Sequence, residues 1–305
     1  LIVDRLSDRV GHWLTLNEPQ CFIGMGYLDG THAPGLQMGV AEVLLAAHHA
    51  LLAHGQAVQV IRARAKTPPR ISAAQASQVS IPDTDAPEDI EAAHDHMFSI
   101  REQGFFNNTW FSDPMILGHY PVDGLALYEA DMPVMQDGDL ATIHQPLDFF
   151  GANIYSGRYV HATPDGGIEK LPDRDQPVTA MGWPITPEAL YWAPRFFHER
   201  YGLPIVITEN GMANDDRLEN GAVDDQPRIN FLQSYLQHYA RAIAEGVPAQ
   251  GYFLWSVMDN FEWAEGYSKR FGLIHVDYAS QRRTLKASAQ WYGRVIAANG
   301  GNLGL

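Results

Sequence analysis

The sequence predicts an α/β protein built on a parallel sheet, and three observations support this. Short apolar runs alternate with longer amphipathic stretches along the 305 residues, which is the pattern of repeated βαβ units. The run Ile205-Val206-Ile207 is apolar at every position, as in a strand covered on both faces. Most runs end in polar or aromatic residues, and functional residues gather at the carboxyl ends of the strands in a (β/α)8 TIM barrel. A doubly wound sheet would concentrate them at one switch point instead.

Five apolar runs are predicted as strands, and they cover residues 12–16, 70–74, 147–153, 204–208 and 251–255. Four of them finish in residues that could carry chemistry, namely Asn17-Glu18, Asn153 to Tyr155, Thr208-Glu209 and Trp255. Because parallel strands present their carboxyl ends at one rim, these residues are expected to face a common site.

Five amphipathic stretches are predicted as helices, at residues 40–65, from 87 onward, 186–201, around 229–243 and 285–298. In the first, Leu44, Ala47, Leu51 and Leu52 recur at helical spacing on one face. Pro at the start of the second and glycines after the third, fourth and fifth are ordinary helix boundary signals.

Two segments break the alternation of strands and helices. Residues 108–139 are rich in aromatics, Pro, Gly and Asp and are predicted as an ordered loop. Residues 163–184, which contain Asp165-Gly166-Gly167, are predicted as a hairpin or long loop near the mouth of the barrel. No linker or repeat divides the chain, so residues 1–305 are expected to form a single catalytic domain.

The composition disfavours several classes of partner. The net charge of −15 would repel a nucleic acid, and no apolar run reaches the roughly 20 residues that cross a bilayer. The single Cys21 cannot form an internal disulfide, which fits a reducing compartment, so a cytoplasmic location is predicted. The N-terminus shows no signal-peptide pattern.

No cofactor or metal is expected. The groups His48-His49-His54 and His94-His96 lack a metalloprotease motif or a Cys-rich partner set, so packing or solvated faces is the preferred interpretation. Gly24, Gly26 and Gly30 do not follow a strand in the dinucleotide-binding pattern.

Glu18 and Glu209 are the two carboxylates that the predicted strands place at one rim, although 191 positions separate them in the chain. Cleaving a glycosidic bond needs one carboxyl group that protonates the leaving oxygen and another that attacks or activates water. In enzymes that retain configuration the two lie about 5–5.5 Å apart. An isolated Glu is more often a plain surface residue, but here each Glu adjoins an Asn.

Several blocks of the sequence resemble family 1 glycoside hydrolases of the β-glucosidase type. The blocks occur in family order and are Thr15-Leu16-Asn17-Glu18-Pro19, residues 147–155, Ile207-Thr208-Glu209-Asn210-Gly211, and residues 251–278. The resemblance implies a retaining β-glycosidase that hydrolyses O-linked β-glucosides by double displacement through a covalent glycosyl-enzyme intermediate.

The resemblance assigns a role to each candidate catalytic residue. Glu18 would be the general acid/base and Glu209 the nucleophile. Tyr155 would donate its hydroxyl to the nucleophile, although an ordinary core tyrosine is the plain alternative. Asn17 would contact the 2-hydroxyl of the sugar, and Asn153 is assigned to substrate binding.

The remaining sugar-site residues are aromatic or acidic. By resemblance, Glu262 would accept hydrogen bonds from the 4- and 6-hydroxyls, Trp263 would join it at the sugar, and Trp255 would form the floor of the sugar subsite. Trp183 would line the aglycone side and Phe271 would close the pocket, and for both the plain alternative is packing. Glu262 would repel a 6-phosphosugar, so an unphosphorylated hexose is expected. The loop with His32 is assigned a structural role.

The chain departs from the family pattern at its N-terminus. In the family the acid/base ends the fourth strand, so about 90 residues should precede it at roughly 30 residues per βα unit. The expected fold is therefore an incomplete barrel with about strands four to eight. The family's Gln on the first strand and His-Trp pair on the third have no counterpart here. Open edges would remain, and a second copy or a companion N-terminal fragment is expected to cover them. A weakly active or inactive sugar-binding remnant is the alternative function.

Overall fold

A computed structural model describes residues 1–172 and 175–304 of the chain. The chain forms two compact units. The first unit contains Leu1–Gln78, His94–Asn153 and Phe197–Val206, and the second contains Val79–Ala93, Ile154–Phe196 and Ile207–Leu305.

The secondary structure of the described residues alternates as the sequence predicts. The α-helices are α1 (Ile2–Leu6), α2 (Val40–Arg64), α3 (Pro87–Phe98), α4 (Thr109–Ile116), α5 (Val122–Tyr128), α6 (Asp139–Ile143), α7 (Ala189–Tyr201), α8 (Gln226–Ala244) and α9 (Ala287–Ala297). The strands are β1 (His12–Asn17), β2 (Arg70–Ala76), β3 (Val79–Pro82), β4 (Phe150–Asn153), β5 (Gly157–Ala162), β6 (Ile168–Lys170), β7 (Ile205–Asn210), β8 (Ala249–Leu254), β9 (Ile274–Val276) and β10 (Arg283–Leu285). A π-helix spans Gln20–Leu28, and 3-10 turns span Glu129–Asp131 and Trp263–Glu265.

The main sheet contains five strands in the order β1-β2-β4-β7-β8. These are the five strands that the apolar runs predict, so that prediction is confirmed. Strands β1 and β2 pair in parallel, with Trp13 opposite Ile71. Strands β2 and β4 also pair in parallel, with Gln75 opposite Ala152. Parallel pairing places the carboxyl ends of β1, β2 and β4 at the same edge of the sheet.

Helix α2 provides the largest helical face in the core of the first unit. Leu44, Ala47 and Leu51, which are predicted to share one face, are buried, and Leu52 packs against them at the margin. Burial of a Leu side chain contributes roughly 1.5–3 kcal/mol. The core around this face also includes Ile23, Val43, Ala73, Ile100, Phe105, Trp110, Phe111, Met115, Tyr120, Tyr128 and Ile143.

The prediction of a loop at residues 108–139 is wrong, because this segment contains helices α4 and α5. Trp110 and Phe111 of α4 are buried, and their packing stabilises a short helix that would be marginal in isolation. Pro114 lies inside that helix. Aromatic residues and Pro have low intrinsic helix propensity, so the local sequence could not indicate a helix that depends on tertiary burial.

The second unit contains a small sheet of order β3-β5-β6. Strands β5 and β6 form an antiparallel hairpin, with Val160 opposite Lys170, so the hairpin interpretation of residues 163–184 is confirmed for their first part. Asp173 and Arg174 of that segment lie outside the described residues. The short strands β3, β9 and β10 are not predicted, because three or four residues carry too little periodicity.

Two predicted helix starts are shifted. Helix α7 begins at Ala189 rather than Thr186, whose hydroxyl accepts the Gly157 N–H at 2.7 Å and therefore holds β5. Helix α9 begins at Ala287, because Leu285 pairs in the β9–β10 hairpin. The end of α7 is as predicted, with Gly202 following in the left-handed conformation at φ 67°.

A substitution at Gly55 tests the contact between α2 and α6. A Cβ atom on Gly55 would lie 1.8 Å from the Thr142 carbonyl oxygen. Although Gly to Ala in a helix ordinarily gains up to about 1 kcal/mol, we expect Gly55→Ala to destabilise the chain by roughly 1–3 kcal/mol. Urea denaturation followed by circular dichroism measures the change.

Gly293 in α9 provides the matched control, because a Cβ atom there would meet nothing within 4 Å. Gly293→Ala is expected to stabilise the chain by up to about 1 kcal/mol. A stabilising effect of Gly55→Ala would contradict the close contact.

Candidate active site

Glu18 follows the last residue of β1 in the first unit. Its backbone N–H donates to the Ala74 carbonyl of β2 at 2.9 Å, so the parallel pairing fixes its position. Its φ is 47°, a left-handed conformation that costs an L-residue roughly 1–2 kcal/mol. Glu18 is therefore a non-glycine residue held in a strained backbone conformation directly after the end of β1.

Two side chains hold the Glu18 carboxylate. The amide of Asn153, at the end of β4, donates to Oε1 at 2.8 Å and also to Asn17 Oδ1 at 3.1 Å. The thiol of Cys21 donates to Oε2 at 3.0 Å. The structure thus brings Asn17, Glu18 and Asn153 together in the first unit.

The sequence reasoning missed two residues that support Glu18. One is Cys21, and the other is Gln20, whose buried amide donates to Gln75 at 3.0 Å and whose oxygen accepts the Ala76 N–H at 3.3 Å. Gln20 therefore anchors the segment after the glutamate to β2. The available signal was position, because both residues follow Glu18 within one helical turn.

Glu209 lies near the end of β7 in the second unit. The hydroxyl of Tyr155 donates to its Oε2 at 2.7 Å. The backbone holds this pair in register, since the Ile154 N–H donates to the Glu209 carbonyl at 2.9 Å. Tyr235, which the sequence reasoning missed, donates from its hydroxyl to the Tyr155 carbonyl at 2.9 Å.

An aromatic group surrounds Tyr155. Its ring centroid lies 5.2 Å from that of Trp183 and 6.2 Å from that of Phe271, and the latter two centroids lie 6.1 Å apart. Phe271 is buried, and Trp183 is half-buried. Three rings at such distances pack favourably and leave an apolar face on the partly exposed indole.

Trp255, Glu262 and Trp263 occupy one segment that follows β8. Trp255 approaches the segment after β7 closely, because a Cβ atom on Gly211 would lie 1.9 Å from the Trp255 carbonyl oxygen. Glu262 is half-buried, and Trp263 is 58% exposed with φ 44°. The Glu262 N–H donates to the Gly266 carbonyl at 2.7 Å, which closes a tight turn around Trp263.

The family model described as Glycosyl hydrolase family 1 matches residues 1–301. The chain belongs to glycosyl hydrolase family 1. Beta-glucosidase A of Thermotoga maritima is 41% identical over 304 residues, which cover 98% of this chain and 66% of the relative.

Further relatives extend this family 1 similarity. The bifunctional beta-D-glucosidase/beta-D-fucosidase of Bifidobacterium breve is 40% identical, and the aligned region covers 97% of this chain and 66% of that relative. A solved structure of the family 1 β-glucosidase from Thermotoga maritima superposes with a TM-score of 0.84 at 40% identity, over 98% of this chain and 66% of that chain. The chain spans just under two thirds of the length of these relatives.

Family 1 membership confirms the resemblance on which the site was predicted. It also confirms the fold class, an incomplete (β/α)8 barrel, to which the main sheet contributes five strands. The predicted correspondence with about strands four to eight agrees with the 66% coverage of the relatives.

Of the two histidine groups in this family 1 chain, only His48 and His54 are buried, whereas His49 is exposed and His94 and His96 are half-buried. His48 is buried between the Tyr120 hydroxyl at 2.9 Å and the Asp139 carboxylate at 3.0 Å. Among the described residues, no group of three or more His, Cys, Asp or Glu side chains is arranged to hold a metal ion.

His54 is buried where α2 meets β1. Its Nδ1 lies 2.6 Å from the Thr15 hydroxyl, and that hydroxyl donates to the Ser72 carbonyl at 3.2 Å. The ring Nδ1–H is therefore the donor to Thr15. Nε2 is buried without a hydrogen-bond partner in the described part of the chain. Burial lowers the pKa of His54 from 6.5 to about 4, so the ring stays neutral at pH 7.

The lowered pKa of His54 predicts a loss of stability in mild acid. The unfolded chain binds a proton near pH 6.5 whereas the folded chain does not until about pH 4, so the contribution is full above pH 6.5 and is lost as the pH falls through this window. The expected loss is about 3 kcal/mol. Urea denaturation at pH 7 and pH 4.5 measures it.

The variant His54→Asn, whose amide can still donate to Thr15, should flatten this part of the stability profile. His12→Asn, at an exposed position of β1, is the control and should keep the slope. An equal slope in His54→Asn and the unmodified chain would refute the assignment.

Proposed function

We propose that the chain is a retaining β-glycosidase that hydrolyses O-linked β-glucosides. The observation that carries this proposal is the contrast between two carboxylates near strand ends. An amide and a thiol hold Glu18, whereas a phenol donates to Glu209. Relatives at about 40% identity that are named β-glucosidases support the same activity.

In the proposed reaction Glu209 attacks the anomeric carbon, and the bond from that carbon to the leaving oxygen breaks. Glu18 gives its proton to the leaving oxygen, so the aglycone departs as a neutral alcohol. Glu18 then removes a proton from water, which attacks the glycosyl-enzyme and regenerates Glu209. The Tyr155 hydroxyl stabilises the negative charge of Glu209 before attack and after release.

Asn17 and Asn153 are the proposed sugar contacts in the first unit. In the first unit Asn17 meets the 2-hydroxyl, and Asn153 belongs to the same site because its amide contacts both Asn17 and Glu18. A contact to the 2-hydroxyl strengthens as the sugar approaches its oxocarbenium-like transition state.

In the second unit Trp255 provides the floor of the sugar subsite, Glu262 accepts hydrogen bonds from the 4- and 6-hydroxyls, and Trp263 contacts the sugar beside it. Trp183 lines the aglycone side and Phe271 closes the pocket, in keeping with their packing around Tyr155. Glu262 and the net charge of −15 disfavour an anionic 6-phosphosugar. The proposed ligand is a neutral β-glucoside, and no cofactor is required.

A sugar-binding remnant is the second candidate function. It would apply to a chain of this length acting alone, which spans 66% of the length of its relatives. Loss of one hydroxyl contact removes transition-state stabilisation of about 1–3 kcal/mol. Sugar binding without turnover would support this candidate.

Leaving-group dependence separates the roles of the two glutamates. Glu18→Gln is expected to lower kcat/KM on an alkyl β-glucoside by at least about 10²–10³-fold, because an alkoxide cannot leave without a proton. A dinitrophenyl β-glucoside should lose far less, since dinitrophenolate leaves unaided. Glu209→Gln is expected to lose at least about 10³-fold with both substrates, because no bond to the anomeric carbon can form.

Glu91→Gln on the exposed side of α3 is the control and should leave both rates unchanged. Turnover that survives Glu209→Gln would eliminate this nucleophile assignment. Equal losses for both substrates in Glu18→Gln would eliminate the acid assignment.

We also propose that additional strands cover the edges of the main sheet, supplied by a second copy or a companion segment. In the described sheet β1 and β8 are the outer strands. Leu14 on β1 is 46% exposed and Phe253 on β8 is 60% exposed. Unpaired strand edges with exposed apolar side chains favour pairing with another chain.

Size-exclusion chromatography with light scattering tests this proposal of covered edges. A mass that is a multiple of 33.9 kDa is expected, and Leu14→Lys should shift it toward the monomer because a charge on an edge strand opposes pairing. A stable, well-folded monomer that activates no further with an added N-terminal fragment would contradict the proposal.

We also propose a domain organisation and a cellular location for the chain. Residues 1–305 are proposed to act as a single catalytic domain. A cytoplasmic location rests on the lone Cys21. In the described ranges, no helix combines the length and the apolar character that crossing a bilayer requires.

A further inference from the structure

Six charged side chains form a buried cluster in the second unit, and none of them has a role in the proposed reaction. Three are carboxylates and three are cations, so their formal charges cancel. Five of the six side chains are at most 1% exposed, and that of Arg270 is 21% exposed. The ion cluster consists of Asp216, Asp225, Arg228, Asp259, Arg270 and Lys286.

Lys286 lies at the centre of the ion cluster. Its ammonium donates to Asp216 at 2.5 Å and to Asp259 at 2.7 Å. Arg228 donates to the same Asp216 oxygen, Oδ2, at 2.7 Å and also to Asp225. These contacts join the segment that follows Glu209 to helices α8 and α9.

Asp259 connects the ion cluster to the segment that carries the proposed sugar contacts. One carboxylate oxygen accepts from Lys286 and from the Gly272 N–H at 3.1 Å. The other accepts from Arg270 and from the Val276 N–H at 3.3 Å. Asp259 and Arg270 therefore clamp together the two ends of residues 260–269.

The clamped segment is exposed between its ends. Phe261, Trp263 and Tyr267 are 59%, 58% and 56% exposed. Little of the segment is buried, so its path depends on a small number of contacts. These are the clamp at its base, the turn that the Glu262 N–H closes with Gly266, and the contacts of Tyr278 with Asn260 and Tyr267 and of Lys269 with the Ala180 carbonyl. Glu262 lies three residues after Asp259 and is the acid that the proposed function places at the 4- and 6-hydroxyls.

We propose that the ion cluster positions residues 260–269 and so contributes to the choice of sugar, with Lys286 as a positioning residue that acts through Asp259. This inference rests on the proposed function for the identity of the sugar contacts. The positioning itself is a property of the second unit and can be measured without turnover.

The charges of the ion cluster depend strongly on one another. Burial and the neighbouring Arg228 lower the pKa of Lys286, while Asp216 and Asp259 raise it. Burial tends to raise the pKa of Asp216, but Arg228 and Lys286 outweigh it and the pKa is lowered. Removing the Lys286 ammonium takes one hydrogen-bond donor from each of the buried carboxylates Asp216 and Asp259, so the clamp at Asp259 is expected to loosen.

Sugar selectivity tests the functional side of the inference. An aryl β-xyloside lacks the 6-hydroxymethyl group, so Glu262 can contribute less to its binding than to that of an aryl β-glucoside. Lys286→Met is expected to lower the glucoside-to-xyloside ratio of kcat/KM by about ten-fold or more, mainly through KM for the glucoside. Lys286→Arg, which keeps the charge, should recover most of the ratio.

Two further variants identify the route of the effect. In a Glu262→Gln background, Lys286→Met should change the ratio less than about two-fold, because the contact that it positions is already lost. Lys170→Met, at an exposed position of β6, is the matched control and should leave the ratio unchanged. An unchanged ratio in Lys286→Met, with a turnover-competent unmodified chain, would overturn the inference.

Hydrogen–deuterium exchange tests the positioning independently of activity. Amides of residues 260–269 should exchange at least about ten-fold faster in Lys286→Met, with no change in the β5–β6 hairpin. Arg270→Met removes the more exposed partner of Asp259 in the same clamp. It is the variant to measure if Lys286→Met does not fold. Unchanged exchange in the variant that folds would overturn the inference, whereas absence of turnover in the unmodified chain would count against the proposed function alone.

Discussion

The lateral hydrogen bonding of parallel strands is the constraint on which the rest of this structure depends. Inside a sheet each backbone N–H and C=O must find a partner on the neighbouring strand. The pairing therefore fixes where each strand stops relative to its neighbour. The Glu18 N–H bonds to Ala74, and the Ile154 N–H bonds to Glu209. The first bond fixes the position of the proposed acid, Glu18, along its strand. The second fixes the register between the proposed nucleophile, Glu209, and the segment that carries its donor Tyr155.

The two glutamates differ because the chemistry of their neighbours differs. Glu18 receives an amide and a thiol, the latter a weak donor. Glu209 receives a phenol hydroxyl at 2.7 Å, and a bond from a neutral donor to a carboxylate is among the stronger hydrogen bonds. Two identical side chains thus acquire different environments, as the proposed roles of acid and nucleophile require.

Buried polar groups in the second unit have a different purpose from the apolar core of the first. The ion cluster buries charges at a desolvation cost that well-packed apolar residues would avoid. In exchange the cluster fixes the geometry of this region, because Asp259 accepts four hydrogen bonds from three different parts of the chain. An apolar contact has no comparable directionality, so it would hold an exposed segment less specifically.

The sequence by itself determined the five strands of the main sheet, the start of helix α3 at Pro87 and the end of helix α7 before Gly202. It also determined the family, because motifs at strand ends are local in the chain. It could not identify helix α4, since burial of Trp110 and Phe111 outweighs the weak helix propensity of aromatic residues, nor the short helix α5, whose Tyr128 is also buried.

Tertiary structure alone decided what holds each candidate residue. Local spacing predicts that Glu18 and Glu209 end strands, but the partners Asn153 and Tyr155 lie 135 and 54 positions away. Cys21 was visible in the sequence, yet its contact with Glu18 depends on the backbone turning after β1. Strand ends are encoded by short-range patterns, whereas hydrogen-bond partners depend on which distant strands become neighbours, and only the folded sheet fixes that.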